Sequence, residues 1–112
     1  MKDTVILVTS NGMGKADLPL GQKLMGKYLE LLTHNQDLPA AICFYTEGVK
    51  LVIDDSPVLD QLKGLEAKGV RLIVCSTCLD YFNITDRVKI GIVGGMPDII
   101  EAQMKAEKVI TI

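Results

Sequence analysis

Cys75-Ser-Thr-Cys78 holds the residues of this chain best suited to chemistry. The pair follows the apolar run Val70-Arg-Leu-Ile-Val74 and precedes a short stretch of helical character. Three chemistries suit two thiols at this spacing: sulfur transfer, redox exchange and metal binding. The thiolate is the nucleophile, and at an ordinary pKa of about 8.5 only about 3% of a cysteine is ionised at neutral pH. A helix start favours the anion by about 1 kcal/mol, enough to raise that fraction several-fold. Cys75 stands at the expected helix start, within reach of first-turn N–H groups. Cys78 lies one turn later on a similar face, placed to act as a resolving thiol. The plain alternative is two small residues packing a strand–helix junction.

Metal binding is the weakest of the three. A structural zinc site takes four ligands, commonly as two paired knuckles. Beyond the pair, the chain offers only His34 and Cys43. His34 reads as a surface residue at a helix end, and Cys43 sits within the apolar run Ala40–Tyr45. No metal and no cofactor is expected. Redox exchange is weakened by the surroundings, because no Trp precedes the pair and no Pro lies within it.

The elements that must position these thiols follow from the apolar pattern. Apolar runs predict strands over 5–8, 40–45, 70–74, 88–93 and 109–112, and the continuous run 5–8 suits a strand covered on both faces. Helical spacing predicts helices over 18–33, from Ser56 to a stop at Gly69, over 77–82 with Asn83 as the stop, and over 97–105. Ser56 is expected as N-cap with Pro57 first in the helix. Alternation of strand and helix implies a three-layer αβα sandwich around a mostly parallel five-stranded sheet. Loops after the strands then gather at one sheet edge, where ligands bind in such folds. That edge collects Cys75, the Ser10–Asp17 loop, Thr46–Lys50 and Gly94–Met96.

The loop Ser10-Asn-Gly-Met-Gly14-Lys-Ala-Asp17 fails both phosphate-binding patterns. No second Gly-Lys-Ser/Thr follows, and Asp17 occupies the third glycine position of the dinucleotide fingerprint. Gly12 and Gly14 read as turn residues, as do Gly94 and Gly95. All four are pocket candidates through their backbone N–H groups. Lys50 is a further pocket candidate, placed to hold an anionic sulfur, with a solvated lysine as the plain alternative.

Bulk properties narrow the function. The 112 residues make one domain's worth of chain. Fourteen acidic against twelve basic residues leave no basic stripe for nucleic acid. No run of 18 apolar residues suggests a membrane span. Three cysteines without an export signal suggest reduced thiols and a cytoplasmic protein. A hydrophobic content of 48% hints at a subunit interface.

Several segments together resemble one family. They are Val8-Thr-Ser-Asn-Gly-Met-Gly14, Leu20-Gly-Gln-Lys-Leu-Met25, Phe44-Tyr-Thr-Glu-Gly-Val-Lys-Leu51, Gly69-Val-Arg-Leu-Ile-Val-Cys-Ser-Thr-Cys-Leu-Asp-Tyr-Phe82 and Lys108-Val-Ile-Thr-Ile112. This pattern resembles the DsrE/DsrF-like sulfur-relay family, and most closely its YedF-like branch, which is tied to selenium metabolism. The resemblance spans the chain and implies a three-layer α/β fold, a homo-oligomer and a cysteine that carries a persulfide. Cys75 matches the persulfide cysteine, with Ile84 in the apolar place nine residues on. Cys78 matches the extra cysteine of the YedF-like branch. Tyr81-Phe82-Asn83 departs from the basic-glycine helix end of the family. These residues hold no Cys-Pro-x-Pro motif, so a sulfur donor or acceptor, TusA-like by resemblance, is expected on another chain. The resulting expectation is a sulfurtransferase-like carrier using Cys75, with Cys78 as accessory. A dithiol redox protein and a non-catalytic binding subunit are the alternatives.

Overall fold

A computed structural model describes residues 3–112 of the protein. Five apolar runs form the strands β1 (Thr4–Val8), β2 (Ala41–Phe44), β3 (Arg71–Cys75), β4 (Ile92–Gly94) and β5 (Lys108–Thr111). They build one sheet in the order β4-β3-β2-β1-β5. Every pairing is parallel, which goes one step beyond the mostly parallel sheet expected. Parallel strands need covering on both faces, and β1, β2 and all of β3 but Arg71 are buried accordingly.

Four helices supply the cover: α1 (Leu18–Thr33), α2 (Leu59–Ala67), α3 (Ser76–Phe82) and α4 (Met96–Lys105). Helix α1 shares a cavity of about 230 Å³ with Thr4, Ile6 and Ile110. Helix α4 shares one of about 150 Å³ with Val5, Ala41 and Arg71. Successive strand residues point to opposite faces, so α1 and α4 lie on opposite sides of the sheet. Three layers result. Phe44, Ile42, Leu62, Leu65 and Leu72 are among the fully buried side chains between them. Among the described residues, no helix is long and apolar enough to cross a membrane.

Helix ends follow local chemistry. The Asp17 carboxylate accepts the Leu20 N–H at 3.1 Å and starts α1, with Pro19 in the first turn. Gly69 takes the expected left-handed stop after α2, at φ +95°. Asn83 does the same after α3, at φ +57°. Replacing Asn83 by Ala places a Cβ in that region and should cost about 1–2 kcal/mol, whereas Gly should be tolerated. Thermal unfolding checks this; an alanine variant as stable as the glycine variant would refute it.

Two expected boundaries move. Helix α2 begins at Leu59 rather than at Pro57, because the Ser56 hydroxyl accepts the Val58 N–H at 3.2 Å and closes a local turn instead. Strand β4 is Ile92–Gly94, so it keeps only Ile92 and Val93 of the expected 88–93. Val88 instead bridges Ile53 in antiparallel fashion, and the Lys89 N–H donates to the Val52 carbonyl at 2.9 Å. Those bonds tie 88–89 to a neighbouring loop and away from the sheet.

Candidate functional site

Strand β3 ends at Cys75, which also serves as N-cap of α3, and Cys78 follows one turn later. Cys75 pairs with Gly94 in the β3–β4 register and is only 1% exposed. A solvent-facing Cys75 sulfur, as the sequence suggested, is therefore not found. The expected support from first-turn N–H groups is also missing. Helix α3 has seven residues, and among the described residues no side-chain capping bond involves Cys75. Cys78 is the partly exposed thiol of the pair.

The sulfur of Cys78 meets a backbone donor from another element. After β2 the chain enters a 3₁₀ segment, Thr46–Val52, where the sequence predicts an edge loop over Thr46–Lys50. The Thr46 N–H donates to Cys78 Sγ at 3.1 Å. Thr46 has φ +50°, a left-handed conformation that is rare for a β-branched residue and costs of the order of 1–2 kcal/mol. Its surroundings enforce it. The Tyr45 N–H donates to the Val8 carbonyl at 3.1 Å. The Thr46 hydroxyl lies 2.7 Å from the Tyr45 carbonyl and 2.5 Å from the Thr9 carbonyl. Gly48 is buried so close to β1 that a Cβ there would stand 2.1 Å from the Val8 carbonyl oxygen.

Lys50 does not act on the sulfur directly. Its ammonium pairs with Glu47 at 2.8 Å and sits 4.4 Å from the Phe82 ring centroid. Phe82 meets Tyr81 edge-on at 5.4 Å, and Tyr81 is 84% exposed. Lys50 and Phe82 also line a cleft of about 340 Å³ with Asn11, Ile84 and Arg87. Arg87 is held there by Asp54 at 2.7 Å and Asp55 at 3.2 Å.

Electrostatics around Cys78 oppose ionisation at rest. Burial pushes its thiol above the ordinary value, the Thr46 N–H draws it down, and a hydrogen bond and charge interaction with Cys75 push it up again. The net direction is upward, so the resting side chain is mainly thiol at neutral pH. The helix-start support expected from the sequence falls on Cys75, and α3 makes no side-chain capping bond with that residue. Cys43, inside β2, is pushed up to about 11 by burial.

The remaining pocket candidates divide. Gly94 lies beside Cys75. The Gly95 N–H is already taken by the Asp98 carboxylate at 2.8 Å. Gly12 is buried against α1, where a Cβ would stand 2.8 Å from the Gly21 backbone, and Gly14 is exposed in the same loop. Neither lines the cleft beside Lys50, which takes Asn11 from that loop. His34 caps the C-terminal end of α1, and Cys43 lies mid-strand. Thr46, expected at this edge only as part of the Thr46–Lys50 loop, is the residue whose N–H meets the Cys78 sulfur. Its residue type carries no sign of a left-handed backbone.

Comparison with known proteins agrees with this architecture. YchN of E. coli is 21% identical over 100% of both chains, with a TM-score of 0.69. MTH1491 of Methanobacterium thermoautotrophicum, a protein of unknown function, is 18% identical over 100% of both chains, with a TM-score of 0.70. BT1422 of Bacteroides thetaiotaomicron, also of unknown function, is 16% identical over 98% of this chain and 95% of its own, with a TM-score of 0.62. At such identities the likeness speaks for the fold. No curated protein matches the chain. The model of the DsrE/DsrF-like family matches residues 5–112. With nearly its whole length matched, the chain belongs to the DsrE/DsrF-like family, which is associated with sulfur relay.

Proposed function

We propose that the protein is a sulfur carrier that holds a persulfide sulfur on Cys78, with Cys75 as a buried second thiol. The observation that carries this reading is the contrast between the two sulfurs. Cys78 is partly exposed and has a backbone N–H on Sγ, whereas Cys75 is 1% exposed. In loading, the Cys78 thiolate attacks the outer sulfur of a donor persulfide. The new S–S bond forms Cys78–S–SH, and the donor leaves as its thiolate. In discharge, an acceptor thiolate attacks that outer sulfur, and the electron pair of the broken bond returns to Cys78 Sγ.

The partner in this reading is a protein thiol or persulfide, TusA-like in kind, docking beside the exposed Tyr81. Free cysteines suit a reducing compartment, so the proposed location is the cytoplasm, and the proposed assembly is a homo-oligomer. Selenium can replace sulfur in the same steps. The test is incubation with a persulfide donor, followed by intact mass and peptide mapping. One added sulfur on Cys78 supports the reading; no added sulfur removes it.

A second reading has its own observation, two free cysteines one helical turn apart at the start of α3. Attack of the Cys75 thiolate on the inner sulfur of Cys78–S–SH forms a Cys75–Cys78 disulfide and expels HS⁻. A dithiol reductant must then reset the pair. Titration in glutathione buffers separates the cases, since a reversible two-electron couple without persulfide loading favours redox exchange.

A further inference from the structure

We infer that Thr46 is the positioning residue of this site, holding its backbone N–H on the Cys78 sulfur through both halves of sulfur transfer. The inference rests on the sulfur-carrier reading for its chemistry and on the geometry of Thr46 for its mechanism.

Thr46 is a β-branched residue at φ +50°. The Tyr45–Thr46 peptide plane aims this N–H, and the positive φ turns the chain that follows directly into the 46–52 segment. The left-handed conformation is held from several sides. Tyr45 is bonded to Val8, the Thr46 hydroxyl lies between the Tyr45 and Thr9 carbonyls, and Gly48 packs on Val8. All these anchors belong to the C-terminal ends of β1 and β2 or the residues just beyond. Two central strands thereby fix one N–H against a sulfur carried by α3. Thr46 is itself exposed, so this bond lies at the surface a docking partner meets.

The same bond serves both directions. During loading it favours the Cys78 thiolate that attacks. During discharge Cys78 is the leaving group, and a leaving thiolate departs faster when its anion is stabilised. Lys50 does not duplicate this role, because Glu47 and Phe82 already engage its ammonium. The titratable groups on the elements around Cys78 are Cys75, Glu47, Lys50, Asp80 and Tyr81. Substitution at Thr46 changes the charge of none of them.

Thr46→Val keeps the shape and removes the hydroxyl anchor, while Thr46→Ser keeps the anchor. The readout is the pH profile of Cys78 alkylation, assigned by peptide mapping. The valine variant should show a midpoint about one unit higher, a tenfold loss of thiolate at a given pH below it. It should also slow loading and discharge alike, and the serine variant should stay near wild type. In the wild-type protein, the Thr46 amide proton should shift through the Cys78 midpoint in an NMR titration. That measurement needs no variant to fold. A valine midpoint equal to wild type, equal shifts in the valine and serine variants, or a Thr46 amide blind to Cys78 ionisation would each overturn the inference. The midpoint and the amide shift need no sulfur donor. A chain that shows both but never loads sulfur refutes the carrier reading and upholds the placement of the N–H.

Discussion

Cys78→Ser should reduce persulfide loading to background, whereas Cys75→Ala should leave loading in place. The first change removes the sulfur that forms the new bond. The second removes a buried neighbour whose hydrogen bond and charge push the Cys78 thiol upward. Without Cys75, the Cys78 midpoint should fall and the thiolate fraction at neutral pH should rise. Loading of Cys75→Ala should therefore run at least as fast as in wild type. Discharge as HS⁻ should slow in the same variant if the inner-disulfide route operates, since its attacking thiol is gone. Intact mass after exposure to a donor, with and without an acceptor thiol, reads all of this. Full loading in Cys78→Ser with none in Cys75→Ala would assign the carrier role to Cys75, as the sequence pattern alone suggested.

Gly48→Ala should be the most damaging small substitution near the site. The added Cβ would stand 2.1 Å from the Val8 carbonyl oxygen and 2.8 Å from its carbon. Neither atom can move cheaply. Val8 belongs to β1, which has β2 on one side and β5 on the other. The 46–52 segment must shift instead, and it carries the buried Val49, Leu51 and Val52. Overpacking of this kind costs about 3 kcal/mol when backbone has to yield. For a domain of this size that is a fall of roughly 10–20 °C in Tm. Displacement of the segment also withdraws the Thr46 N–H from Cys78, so loading should slow even where the fold survives. Circular dichroism melts and loading rates measured together test the link. A variant with wild-type Tm and wild-type loading would show that the segment is free to move.

Much of the framework was legible because it rests on local patterns. Val5–Val8 and Leu72–Val74 are continuous apolar runs of strand length, and a parallel sheet with both faces covered produces such runs. Pro19, Gly69 and Asn83 mark helix ends through their own backbone preferences. These features need no knowledge of distant contacts. The 88–93 run misled for the complementary reason. Its apolar character was real, but Val88 spends it on Ile53 and not on the sheet.

For the site, the sequence by itself determined that two thiols stand one turn apart where β3 passes into α3. It also determined the family, through segments distributed along the chain. Only the tertiary structure decided which thiol meets solvent. Burial of Cys75 depends on its place in the β3–β4 register, and the donor to Cys78 comes from Thr46, 32 residues earlier in the chain. The sign of the Cys78 shift was likewise a tertiary matter, because burial and a neighbouring thiol outweigh a single N–H. Residue type reports what a side chain can do; solvation and long-range partners, which exist only after folding, decide what it does.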